Sequence, residues 1–240
     1  MVNFIYGEDI NQNMDLKLGG CNVIDILIGG IESGIITTIY GPPGTGKSNI
    51  CLLLASKIAQ EKKIIYIDTE GGFSIERLKQ INSNYGEILD KIIILKPTNF
   101  AEQRKAIRLL KEMVDNDIGM IIVDTFTMLY RVELGSQEEL YSSNKELGKQ
   151  LVLLNEVARK KNIPILITNQ VYADFNNPGS VNMVGGELMK YGCKCILEIK
   201  KGRNSYRSLC VKKHRSVQEE KEIKFKITNS GFEMVDPLHL

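Results

Sequence analysis

Three features of the 240-residue sequence predict an α/β fold with a mostly parallel central sheet, helices on both faces and antiparallel strands at its C-terminal side. Five short isoleucine-rich runs are spaced along the chain without alternating in polarity, which marks strands covered on both faces. Segments with helical apolar spacing lie between them. The last quarter then changes to alternating runs separated by turn residues, the pattern of hairpins.

The elements follow in order. The strand-length runs are GIITTIY (34–40), KIIYID (63–68), KIIIL (91–95), GMIIVD (119–124) and IPILIT (163–168). After the first, Ile50, Leu53, Leu54 and Ile58 recur at helical spacing. In 99–116, Asn99 followed by Glu102 forms an N-cap signal, with Ile107, Leu110 and Val114 on one face. In 137–161, Leu140, Leu147, Leu151, Leu154 and Ala158 make a further stripe. These stripes read first as core packing. CILEIK (195–200) and YRSLCVKK (206–213) flank the turn KGRNS, and EIKFKIT (222–228) turns through NSG into FEMV. Residues 1–15 read as a short N-terminal segment and 16–240 as one domain, without internal repeat or linker.

Composition limits the function classes. The apolar share is 43%, ample for a core, and the formal net charge is only +2. Affinity for an anionic polymer would therefore come from a local patch. The five cysteines (21, 51, 193, 195 and 210) form no C-x-x-C pair, which disfavours a zinc site or disulfide framework. No apolar run approaches a membrane span, and the first residues lack a secretory pattern. The expectation is a cytoplasmic protein with no membrane partner.

Gly41-Pro42-Pro43-Gly44-Thr45-Gly46-Lys47-Ser48 fits G-x-x-x-x-G-K-S between an apolar strand and an amphipathic helix. Glycines free the backbone so that successive N–H groups can face phosphate oxygens, and the helix that follows offers unpaired N–H groups to the same anion. Residues 41–49, ending at Asn49, are the candidate ATP-binding stretch. Lys47 is placed for the β- and γ-phosphates and Ser48 for Mg²⁺. A plain surface turn is the bland alternative, which the strand and helix on either side disfavour. Asp124, ending MIIVD, is the candidate acidic partner of Mg²⁺. Asp68 and Glu70 end one strand, and Asn169 and Gln170 end another. Strand ends on the carboxyl side of such a sheet converge on one crevice. Glu70 is the better candidate base, and Gln170 a candidate sensor of the γ-phosphate.

Taken together, GG-CNVIDILIGGIESGIITTIYGPPGTGKS, YIDTEGGF, MIIVDTFTMLYR and LITNQV resemble the RecA-like recombinase superfamily, from about residue 16 to the end. The short chain, with DTEGG and KKHRS, is most similar to an archaeal branch paralogous to the strand-exchange recombinase. The absence of N-K-x-D argues against a GTPase. The resemblance implies a RecA-like P-loop ATPase core using ATP and Mg²⁺, with Lys47, Glu70 and Gln170 in catalytic roles. It aligns 131–143 and 171–186 with two DNA loops, giving Arg131, Tyr172 and Phe175 as DNA candidates. It places Lys212, Lys213, His214 and Arg215 where basic groups act on the next subunit's nucleotide.

The sequence also departs from that family. The expectation is that the family's usual N-terminal helix-hairpin-helix domain is missing, and Phe4-Ile-Tyr-Gly7 lacks the alanine of the subunit-linking Phe-x-x-Ala. Residues 171–186 hold no Lys or Arg, and 132–140 carry Glu133, Glu138 and Glu139. A backbone-tracking channel is normally positive. Basic residues gather instead at Lys194, Lys200, Lys201, Arg203 and Arg207, so that hairpin is the expected DNA contact. The expected function is a weakly hydrolysing, Mg-dependent, DNA-binding accessory of recombination and repair. Its partners would be DNA, a RadA-like recombinase, a branched-DNA nuclease and further copies of itself. A nucleotide-switched adaptor and a KaiC-like signalling ATPase are the alternatives.

Overall fold

A computed structural model describes residues 17–173, 181–203 and 205–235. The N-terminal segment containing Phe4 to Gly7, and Phe175 in the second expected DNA loop, lie outside the described residues. A nine-stranded sheet in the order β13-β12-β11-β10-β3-β7-β6-β4-β5 forms the frame. The strands β3 (Ile36–Tyr40), β4 (Lys63–Asp68), β5 (Ile92–Leu95), β6 (Ile118–Asp124), β7 (Ile165–Asn169) and β10 (Cys195–Lys201) run parallel. Three antiparallel strands, β11 (Tyr206–Lys213), β12 (Glu222–Thr228) and β13 (Gly231–Met234), are added beyond β10. Two short ladders lie outside this sheet. They pair β1 (Lys17–Leu18) with β2 (Ile31–Glu32), and β8 (Val171–Ala173) with β9 (Val181–Met183).

Both faces of the central strands β3, β6 and β7 are buried, which is why they need no polar alternation. Ile64, Tyr66, Met120 and Ile122 point into one core with α1 (Asn22–Ile28), α2 (Lys47–Ile58) and α3 (Ile75–Ile81). Ile65, Ile67, Ile121 and Val123 point into the other, with α5 (Phe100–Met113), α6 (Met128–Val132), α7 (Gln137–Lys161) and α8 (Gly186–Gly192). The short α4 (Tyr85–Asp90) buries Ile88 in the first core.

Element ends follow local chemistry. The Asn99 side chain accepts from Glu102 N and starts α5, which stops at Met113 as Val114 turns extended. The helix is thus shorter than 99–116. Ser136 and Glu139 form a reciprocal capping box at the start of α7. Strand β3 begins after Gly34, whose φ of +74° breaks the extended run expected from 34. The first expected DNA loop is largely helical: Arg131 and Val132 end α6, and 137–143 begin α7. The capping box is the local reason.

Candidate functional site at the carboxyl edge of the sheet

The phosphate-loop residues connect β3 to α2, and Gly44 and Gly46 take φ of +71° and +108°. Gly41 is fixed by a neighbour: a Cβ there would lie 2.1 Å from the Ile199 carbonyl of β10. Thr45 Oγ1 donates to Pro42 O at 2.8 Å, closing the turn. The Lys47 ammonium donates to Gly41 O at 2.8 Å and Pro42 O at 3.0 Å, so it lies folded over the loop. Burial lowers its pKa, opposed by the charges of Asp124 and Glu70.

Strands far apart in sequence bring the acidic groups to this loop. Asp68 and Asp124 are register partners at the ends of β4 and β6. Asp124 is 3% exposed, and both its oxygens accept hydrogen bonds, one from Tyr66 Oη at 2.8 Å and the other from Thr168 Oγ1 at 2.5 Å. Burial and nearby acids push the Tyr66 hydroxyl well above its ordinary pKa, so it remains a donor. Glu70 Oε1 accepts from Gln170 Nε2 and from Thr125 Oγ1, each at 2.8 Å. Asp68 does other work: its oxygens accept from Gly72 N and Phe73 N and shape the turn after Glu70. That turn brings Gly72 beside the Ser48 hydroxyl, 3.9 Å from where a Gly72 Cβ would stand. Asn169 is likewise structural, accepting from Thr127 Oγ1 and donating to Val184 O.

These groups fit a Mg²⁺–nucleotide. Among the described residues no three His, Cys, Asp or Glu side chains cluster as a metal cage. Mg²⁺ usually takes one or two protein oxygens plus phosphate and water, which matches Ser48 with Asp124.

Several site residues carried no sequence signal of their own. Thr125, Tyr66 and Thr168 hold Glu70 and Asp124, and only Thr125 could have been found, from its place directly after Asp124. Arg77 bridges Asn49 Oδ1 at 2.6 Å to the carbonyls of Thr228 and Asn229, each at 2.8 Å.

The remaining candidates separate into free and engaged groups. Lys201 and Arg203 are exposed at the β10–β11 tip, while Lys200 pairs with Glu198 at 3.1 Å. Arg131 is exposed at the end of α6, and Tyr172 is 45% exposed on β8. The 212–215 cluster is engaged inside the chain. Lys212 lies 2.7 Å from Glu220 and 3.3 Å from Glu198; burial works against its charge, but these acids raise its pKa overall. Lys213 donates to Lys190 O and Cys193 O. Arg215 Nε lies 2.9 Å from Glu32, a buried acid that Lys17 also approaches at 3.5 Å. The His214 side chain is 1% exposed and packed against Glu32.

A phosphate loop, an acidic strand end and a carboxylate joined to a glutamine across the end of β6 define the class of P-loop proteins with a RecA-like core. The Rad51 family model matches residues 11–235. The chain is 39% identical over 229 residues to the DNA repair and recombination protein RadB of Methanobrevibacter smithii, covering 92% of this chain and 95% of that one. It is 42% identical over 214 residues to RadB of Methanocaldococcus jannaschii, covering 88% and 99%. A crystal structure of the RadB recombinase superposes with a TM-score of 0.78 at 35% identity, over 91% of this chain and all of the other. The chain belongs to the Rad51 family and, within it, groups with RadB. Among the described residues no helix is long and apolar enough to cross a membrane.

Proposed function

We propose that this protein binds ATP with Mg²⁺, hydrolyses it slowly, and acts in DNA repair and recombination as a DNA-binding accessory of the main recombinase. The observation that carries the reading is the convergence of Glu70, Gln170 and Thr125 at the strand ends beside the phosphate loop. Gln170 and Thr125 both hold Oε1 of Glu70, leaving Oε2 to accept a proton from water. Lys47 would exchange its loop carbonyls for phosphate oxygens. Ser48 and Asp124 would hold Mg²⁺, which when bound neutralises phosphate charge. Positioning and charge stabilisation are what phosphoryl transfer asks of a protein.

DNA contact is assigned to the β10–β11 tip through Lys201 and Arg203, with Lys200 beside them. The acidic helix start at 133–139 makes a poor phosphate track. The test is MgATP binding and turnover with and without DNA. Tight binding with slow, weakly stimulated turnover is expected. Turnover driven strongly by DNA would overturn the accessory role, and failure to bind MgATP would overturn the whole reading.

One observation favours a second reading, a nucleotide-switched adaptor. Val132 and Tyr141 are each 73% exposed beside Glu133, Glu138 and Glu139. Exposed apolar groups rimmed by charge suit protein docking. A pull-down with the RadA-like recombinase that depends on ATP, alongside undetectable DNA binding, would select this reading.

A further inference from the structure

Each glycine of the phosphate loop meets β10 or the antiparallel strands added beyond it. Gly41 lies under the Ile199 carbonyl of β10. Gly46 lies under Ile227 of β12, whose Cδ1 is 2.8 Å from where a Gly46 Cβ would stand. The carbonyl of Gly44 accepts from Arg207 Nη2 of β11 at 3.5 Å. No heavy atom lies within 4 Å of a Cβ position at Gly44, so on that side nothing packs against the residue.

Arg207 is placed there by its strand. It pairs in register with Lys201 on one side and Phe225 on the other. Strand alternation puts its side chain on the face of Leu209 and Val211, both buried in the core that α2 shares. Its Nη1 donates to Ser205 O, which holds the guanidinium plane back against its own turn. Its Nε is buried without a hydrogen-bond partner, so the group retains a donor that the resting loop does not satisfy.

In a planar trans peptide the carbonyl and the following N–H point in opposite directions. The cis peptide among the described residues is Asp124–Thr125, so the Gly44–Thr45 unit is trans. A cation that draws Gly44 O outward therefore turns Thr45 N–H inward. A main-chain N–H facing the hollow of a phosphate loop is a phosphate donor.

We propose that Arg207 is a positioning residue of the phosphate loop, bracing the Gly44 carbonyl from the sheet extension so that the Thr45 amide faces the nucleotide's phosphates. The inference rests on the reading of 41–48 as a nucleotide loop, and it adds a residue outside the loop on which affinity depends. It also joins that loop to the strand pair carrying Lys201, because Arg207 and Lys201 are direct register partners.

The full chain is titrated with MgATP and MgADP as wild type, Arg207→Ala and Arg207→Lys. Arg207→Ala is expected to raise Kd for both nucleotides about tenfold, equivalent to about 1.4 kcal/mol. kcat at saturation changes less than about threefold, since Glu70 and Gln170 stand on other strands. Arg207→Lys, which keeps a donor, restores part of the affinity. In the nucleotide-free protein, hydrogen exchange at the Thr45 amide quickens in Arg207→Ala, whereas a purely structural role would change exchange along β11 instead. Unchanged Kd in Arg207→Ala overturns the inference, as does an equal loss in Arg207→Lys. If Arg207→Ala does not fold, Arg207→Lys and Arg207→Gln carry the same comparison. Wild-type protein that fails to bind MgATP overturns the nucleotide reading itself, a result distinct from an indifferent Arg207.

Discussion

Glu70 on the turn after β4 and Gln170 at the end of β7 are joined by a 2.8 Å hydrogen bond across one hundred residues of sequence. The same Glu70 oxygen also accepts from Thr125, directly after Asp124. The residue proposed to sense phosphate thus donates a hydrogen bond to the carboxylate proposed as the base. Glu70→Gln is expected to lower ATP turnover by about 10²–10⁴-fold, the usual value of a positioned base. Nucleotide Kd should change little, because the role proposed for Glu70 lies in turnover rather than in binding. Gln170→Ala should lower kcat less and leave the apoprotein's unfolding free energy within about 0.5 kcal/mol of wild type, as for an ordinary surface site. Turnover that survives Glu70→Gln would remove Glu70 from the base role.

Lys47 lies over the carbonyls of Gly41 and Pro42, and burial lowers its pKa below the ordinary lysine value. Lys47→Ala is expected to weaken MgATP binding by about 2–5 kcal/mol, the loss on truncating one member of a buried charge pair. Wild-type affinity should also fall as pH rises, and at lower pH than a surface lysine would dictate, because a depressed pKa means earlier loss of charge. Isothermal titration across the alkaline range checks both. A Lys47→Ala protein with full affinity would refute the nucleotide site.

Much of this arrangement was legible before any coordinates. Unalternating isoleucine runs located β3 to β7, because a strand buried on both faces has no polar positions to interrupt it. Lys47, Asp124, Glu70 and Gln170 were legible because strand ends on one sheet edge converge. The strand order was not legible, since the insertion of β10 beside β3 depends on contacts between residues 37–40 and 195–198. The helices α1, α3 and α4 are six or seven residues long, too short for apolar spacing to stand out. The contacts of Arg77 and of Arg207 with the phosphate-loop segment are not legible in the sequence, because their partners, at 49, 228 and 44, are remote along the chain.

Arg77 fastens the β12–β13 turn to the phosphate-loop helix through Thr228 O, Asn229 O and Asn49 Oδ1. Its loss leaves two carbonyls and the amide oxygens of Asn49 and Gln80 without their donor. Arg77→Ala is expected to destabilise the protein by about 1–3 kcal/mol, reduced from the sum of four charged bonds because the group is partly exposed. For a chain of this size that is a fall of about 2–4 °C in Tm per kcal/mol. Scanning calorimetry without nucleotide measures it. An unchanged Tm would show that the turn is held by Phe225–Phe232 packing alone.

At the β10–β11 tip, Lys201 and Arg203 are exposed, and Lys200 is shared with Glu198. Replacing all three by alanine is expected to lower DNA affinity and flatten the dependence of log K on log salt. Each phosphate contact removed should reduce the slope by about 0.7–0.9. Lys200 should contribute least, because its ion pair must be given up first. Fluorescence anisotropy with a single-stranded oligonucleotide over a salt series provides the slopes. An unaltered slope would move the DNA contact elsewhere on the molecule.

His214 gives the fold a specific acid sensitivity. Its Nδ1 accepts from Ser216 N at 3.0 Å and Val217 N at 3.1 Å, so the proton of the neutral ring is on Nε2, facing Glu32 at 3.5 Å. Burial holds its pKa below the ordinary 6.5, and the pull of Glu32 does not overcome it because Lys17 and Arg215 already oppose that carboxylate. The folded chain therefore takes up this proton less readily than the unfolded chain. The stabilisation is complete above the unfolded value, declines as pH falls below about 6.5, and is gone once the folded site protonates. Thermal melts of wild type and His214→Gln between pH 7.5 and pH 5 isolate it, since the other groups titrate in both. The wild type should lose more stability over that interval than the variant. A variant that proves the more acid-labile would mean that Glu32 holds a charged imidazolium, and the neutral-ring assignment would fall.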